Sequence, residues 1–94
     1  MSDVQMQGKS LAAIARDIAE GMISLTPLLL KHLDEGGVRA LHHQLRKHQT
    51  EVRGSKFPAH DMQGIRTRNL RLQRLHQAIT VLEHAARQLR IRIA

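Results

Sequence analysis

Apolar residues recur at intervals of three and four through most of the chain, and no run alternates with period two, so the pattern predicts helices and no strands. Leu11, Ile14, Ile18 and Leu25 fall on one helical face, with Arg16, Asp17 and Glu20 turned away from it. Ser10 stands before this stripe as an N-cap whose hydroxyl accepts a bond from an early orphan N–H. Gly21 and Pro27 interrupt the stripe. Thr26-Pro27 reads as a fresh cap followed by proline at the first helical position, where its missing donor costs nothing. Residues 10–35 are therefore either one helix kinked at Pro27 or two short ones. Gly36-Gly37 reads as a stop, with Lys31 and His32 in the turn before it, where cations suit the negative end of the helix dipole.

A second amphipathic segment follows, with Val38, Leu41, Leu45, His48 and Val52 on its apolar face and Gly54 at its end. Residues 53–58 form the clearest loop. From Asp61, which with Ser55 is a candidate cap, the chain holds no proline and a single early glycine, Gly64. Ile65, Leu72, Ile79, Ala86 and Ile93 repeat every seven residues, and Leu75, Leu82 and Leu89 fill the intermediate position. That seam is coiled-coil-like from about residue 72. Continued to the C-terminus, the helix would be roughly 50 Å long. The two earlier segments are long enough to fold back over it. The expected fold is all-α: an antiparallel bundle of three principal helices over residues 10–94, dominated by the C-terminal one and preceded by a flexible 1–9 terminus. A parallel homodimeric coiled coil is disfavoured, because its flanking positions would pair Arg71 with His76, Ala78 with Glu83 and Ala85 with Arg90, none of them an attractive pair.

Composition narrows the picture. Among 94 residues there is no Cys, Trp or Tyr, and Phe57 is the only aromatic side chain of the three types Phe, Trp and Tyr. This excludes a disulfide-stapled scaffold, a thiolate metal centre and an aromatic platform for stacking bases. The 41% apolar content is too high for a disordered tail. The longest apolar stretch, residues 22–30, is interrupted by Ser24, Thr26 and Pro27 and falls well short of the ~20 residues that span a bilayer. No leader pattern opens the chain, so the cytoplasm is the expected location.

Charge changes the picture most. The formal net charge is +7, and it is unevenly placed. Residues 1–35 carry three basic and five acidic side chains, whereas residues 36–76 carry nine basic and two acidic. Those nine are Arg39, Arg46, Lys47, Arg53, Lys56, Arg66, Arg68, Arg71 and Arg74. A hairpin about the 53–60 loop would gather them near one end of the bundle. Guanidinium forks match phosphate oxygens without reading bases, so this cluster points to nucleic-acid binding through the backbone. A helix-turn-helix reader is a poor fit. With Gly37 as the turn glycine, Leu33 stands where a small residue is needed, and His43 and Arg46 stand where core residues belong.

Seven histidines raise the question of a metal, but no two of them have the i, i+3 or i, i+4 spacing that places two ligands on one helix face. His48 is expected to be partly buried and hydrogen-bonded. No nucleophile–base pattern, phosphate loop or cofactor motif is present, so no enzymatic activity or cofactor is expected. Residues 22–33 offer a different function. Three successive leucines, Leu28, Leu29 and Leu30, cannot all point inward on one helix, so Leu29 or Leu30 should be at least partly exposed in a monomer and available to a protein partner. The chain is thus expected to be a basic helical nucleic-acid-binding protein or, alternatively, a helical interaction module. Its partner would be DNA, RNA or an acidic protein, and leftover apolar surface on the long helix would favour a homodimer.

Overall fold

The computed structural model describes the backbone of residues 5–6 and 8–93, and it is an all-α bundle. Four helices follow one another: α1 (Leu11–Ala19), α2 (Pro27–Leu30), α3 (Glu35–Arg53) and α4 (Met62–Gln88). Two strands of two residues each precede them, β1 (Gln5–Met6) and β2 (Lys9–Ser10), paired antiparallel with Gln5 opposite Ser10. So short a ladder has no alternation for the sequence to display. Of the terminus expected to be flexible, residues 1–4 and 7 lie outside the described residues.

The first segment is two helices, not one kinked one. The Ser10 hydroxyl accepts from Ala13 N at 3.2 Å and starts α1. Gly21, at φ +80°, ends it: its N–H and that of Met22 return to the carbonyls of Ile18 and Asp17 in a Schellman closure. Thr26 then caps α2 by accepting from Leu29 N at 3.3 Å, with Pro27 at the first position.

The reading of Gly36-Gly37 as a stop is overturned. Both glycines lie in the first turn of α3, where the Asp34 carboxylate accepts from Gly37 N at 2.7 Å. Glycine serves there because of space. A Cβ on Gly37 would sit 3.1 Å from Leu33 Cβ. The helix therefore starts at Glu35, and Lys31 and His32 do not close a long preceding helix.

Asp61 caps α4, accepting from Gly64 N at 2.9 Å. Gly64 lets the loop fold tightly onto this start, since a Cβ would fall 2.6 Å from both the Asp61 carboxylate and the Phe57 ring. At 27 residues α4 is about 40 Å long, shorter than the heptad pattern suggests. It closes at Leu89 with Arg90 in the left-handed region, while Ile91 N–H reaches back to Ala86 O at 2.8 Å. Ile93 and Leu89 thus leave the seam, and Leu89 is exposed.

Partners across the α3–α4 interface run in opposite senses. Arg39 meets Arg92, His42 meets Glu83, and Arg68 meets Ser55. The two helices are antiparallel about the 54–61 loop. The core joins Ile14 and Ile18 of α1, Leu30 of α2, Val38, Leu41 and Leu45 of α3, and Leu75, Ile79 and Leu82 of α4. The α4 seam is thus buried within one chain. No described residue of α4 before Leu75 is buried, and Val52 is the last core residue of α3, so the N-terminal part of α4 and the loop stand beyond the core as a helical-hairpin tip.

Candidate nucleic-acid interface

The hairpin concentrates charge at its tip. From Lys47 to Arg71 there are six Lys/Arg and two Asp/Glu. Lys47, Arg53, Lys56 and Arg66 are exposed, and among the described residues none has a carboxylate within ion-pair distance. Arg53 sits at the end of α3 and Lys56 in the loop. Lys47 lies on α3 and Arg66 in α4, so the four cations are spread over both helices and the loop between them. Arg68 ties the loop to α4 by donating to Ser55 O at 3.1 Å, and its Nε–H is buried without an acceptor.

The other four predicted cations do not join this set freely, and the expectation that all nine gather at one end is corrected. Arg39 is at the far end of the bundle, where it donates to Arg92 O at 2.8 Å and pairs with Glu35 at 2.7 Å. Arg46 is held midway by Glu83, at 3.3 Å, and by Gln49. A helix lays Arg39, Arg46 and Arg53 seven residues apart along one flank, so axial distance separates them. Arg71 and Arg74 turn toward the end of α1. Arg74 donates to Ala19 O at 3.0 Å, a cation on the negative end of the α1 dipole. Arg71 Nε lies 2.9 Å from Glu20 Oε1, but its N–H is not aimed at the carboxylate, so the contact is a charge pair without an aligned hydrogen bond.

One part-buried polar cluster escapes sequence reasoning. Its centre is His42, which is enclosed, at 8% exposure. His42 Nε2 donates to Glu83 Oε2 at 3.0 Å, and the same oxygen accepts from Arg46. The hydrogen bond from His42 and then the charge of Arg46 hold the Glu83 carboxyl below its ordinary value, against the opposing effect of partial burial. His48 is half-buried, as its place on the apolar face implies, but its Nδ1 lies 3.7 Å from Glu51, too far for the expected hydrogen bond. The signal for His42 was its i, i+4 spacing from Val38, one residue from the Leu41 ridge. No group of three His, Asp or Glu side chains among the described residues is placed to hold a metal ion.

The 22–33 surface is also redrawn. Leu30 is a core residue at 1% exposure, Leu29 is half-buried, and Leu28 is the exposed leucine at 67%. Met22 is exposed as well. A single turn of helix can bury one of three successive leucines fully, and the tertiary fit chose Leu30. Beside this segment a groove of about 760 Å³ runs along α4, floored by Ile18, Ile23, Leu25 and Ala78 and reached at one end by Arg74. There the Ala19 carbonyl at the end of α1 already accepts from Arg74. Among the described residues no helix is long and apolar enough to cross a membrane. Comparison with protein-family models, with curated proteins and with solved structures finds no match for the chain.

Proposed function

We propose that this protein is a non-enzymatic nucleic-acid-binding module whose α3–α4 tip grips backbone phosphates. The observation that carries the reading is the group of four exposed cations without carboxylate partners, Lys47, Arg53, Lys56 and Arg66, at and just below the tip. Two helices side by side are about 20 Å across, wider than the ~12 Å major groove, so the tip meets phosphate ridges and does not enter to read base edges. Phe57, the one aromatic ring of the tip, is half-buried against Gly64 and offers no stacking face. The ligand is therefore recognised by its charge density, and sequence matters little.

Fluorescence anisotropy with a labelled duplex and a labelled single-stranded RNA tests this. About four phosphate contacts predict a loss of affinity on the order of 10²-fold between 50 and 200 mM salt. The quadruple variant Lys47→Gln, Arg53→Gln, Lys56→Gln, Arg66→Gln should lose binding while its helical circular dichroism is unchanged. Absence of binding at 50 mM salt, or undiminished binding by the quadruple variant, overturns the proposal.

A second reading has its own observation. Met22 and Leu28 are large apolar side chains with 73% and 67% exposure on one connecting segment. They favour a helical interaction module, with Leu28 and Met22 as the contact residues in place of Leu30. Sedimentation equilibrium would show an oligomer that Met22→Glu with Leu28→Glu dissolves. A wild-type chain that stays monomeric at high concentration removes self-association from that reading.

A further inference from the structure

Arg68, Arg71 and Arg74 follow one another at intervals of three along α4, from the tip toward the end of α1. Their partners change in that order. Arg68 holds the loop carbonyl of Ser55, Arg71 faces the Glu20 carboxylate, and Arg74 holds the Ala19 carbonyl. The Schellman closure at Gly21 fixes where α1 ends and so brings Glu20 over α4. We infer that Glu20 occupies Arg71 in place of a phosphate, keeping this arginine out of the phosphate-binding set of the tip. This inference rests on the reading of the tip given above.

Arg71 is placed so that loss of Glu20 would free it for phosphate. Glu20 and Arg71 side chains are 48% and 34% exposed, and Nε lies 2.9 Å from the carboxylate. With Glu20 in place its negative charge repels an approaching phosphate, whereas without it the guanidinium can offer a phosphate charge-assisted bonds. Arg71 lies about one helical turn from Arg68, well within a Debye length of ~8–10 Å, so its charge is felt at the tip. Arg74 is different. Its bond is to a backbone carbonyl at a helix end, and no nucleic acid needs to displace it. The end of α1 therefore sets how many cations the tip presents.

The test is the salt dependence of binding to a labelled 20-base-pair duplex DNA. Wild type is compared with Glu20→Gln, Arg71→Gln, the double variant and Glu51→Gln. Release of Arg71 in Glu20→Gln should steepen the log–log salt slope by about 0.9 and tighten binding at 50 mM salt about tenfold. Arg71→Gln should keep the wild-type slope, and the double variant should match Arg71→Gln. Glu51→Gln removes a carboxylate of the same region that faces no arginine, so it controls for a plain change in net charge and should leave the slope unchanged. A wild-type slope in Glu20→Gln overturns the inference. So does a gain from Glu20→Gln that persists without Arg71, or an equal gain in Glu51→Gln. A wild-type protein that binds no duplex at any salt overturns the reading of the tip itself. Thermal melts of each variant establish that α1 still docks.

Discussion

From Leu75 onward α4 packs into the core shared by α1, α2 and α3, whereas before Leu75 its neighbours are α3, the loop and, only at Arg71 and Arg74, the end of α1. The difference is plain in the residues. Leu75, Ala78, Ile79, Leu82, Ala85 and Ala86 are buried. Ile65 and Leu72 hold the same seam positions closer to the tip and are only half-buried. One neighbouring helix removes one stripe of apolar area from water, and a second neighbour is needed to close the rest. Where the second is missing, the seam position at 68 is held by an arginine, Arg68, whose Nε is buried and whose terminal nitrogen donates to the loop carbonyl of Ser55. Stability and charge are therefore separated along a molecule 45 Å in its longest dimension.

Truncation tests this separation most strongly. Leu82→Ala, at a fully buried site, should lose about 2–5 kcal/mol, because the lost transfer energy is joined by the cost of the cavity. Ile65→Ala on the same helix should lose about 1 kcal/mol, the share of a half-covered side chain. Urea denaturation of the two variants decides the matter, and equal losses would mean that the tip is packed as closely as the core.

The tip has a local lock whose removal should have a smaller effect. Asp61→Ala deletes the acceptor for Gly64 N–H and should cost about 1 kcal/mol. Amide exchange should rise at the first turn of α4 and leave the amides of residues 75–86 protected. Uniform loss of protection along α4 would show that tip and core unfold as one unit.

The smallest effect lies in the core half, at Glu83. Its carboxyl is held below the ordinary value of 4.5 by the His42 hydrogen bond and the Arg46 charge. A depressed carboxyl contributes stability above the ordinary value and loses it as pH falls below 4.5 through the lowered one. Glu83→Gln lacks this component. Its melting temperature should lie below that of wild type at neutral pH, with the gap narrowing in more acidic buffer. A gap that stays constant between pH 6 and pH 3.5 would remove the cluster from any role in acid sensitivity.

The helices and most of their ends were legible in the residues. Ser10, Thr26 and Asp61 each accept the backbone N–H that their positions imply, and Gly54 ends α3. The error at Gly36-Gly37 came from reading a glycine pair as a terminus when Asp34 beside it was the start of a helix. Both readings satisfy local rules, and the docking of Leu33 over Gly37 separates them. For the candidate interface, the sequence showed which residues are cations and that the hairpin brings several together. It did not show which of them have partners already, because those partners are remote: Glu83 for Arg46, Glu20 for Arg71 and Ala19 for Arg74.

By itself, the sequence determined that this chain is helical, where α1, α2 and α4 start, and that its positive charge lies in the α3–α4 half. Propensity, capping and periodicity act over about one helical turn, and they are written in adjacent residues. Only the tertiary structure decided that Leu30 is buried and Leu28 exposed, that His42 is more enclosed than His48, and that five of nine cations are held by other groups. Those outcomes depend on which surfaces meet across tens of residues. Arg74 finds its acceptor 55 positions away, and no local pattern encodes a contact of that separation.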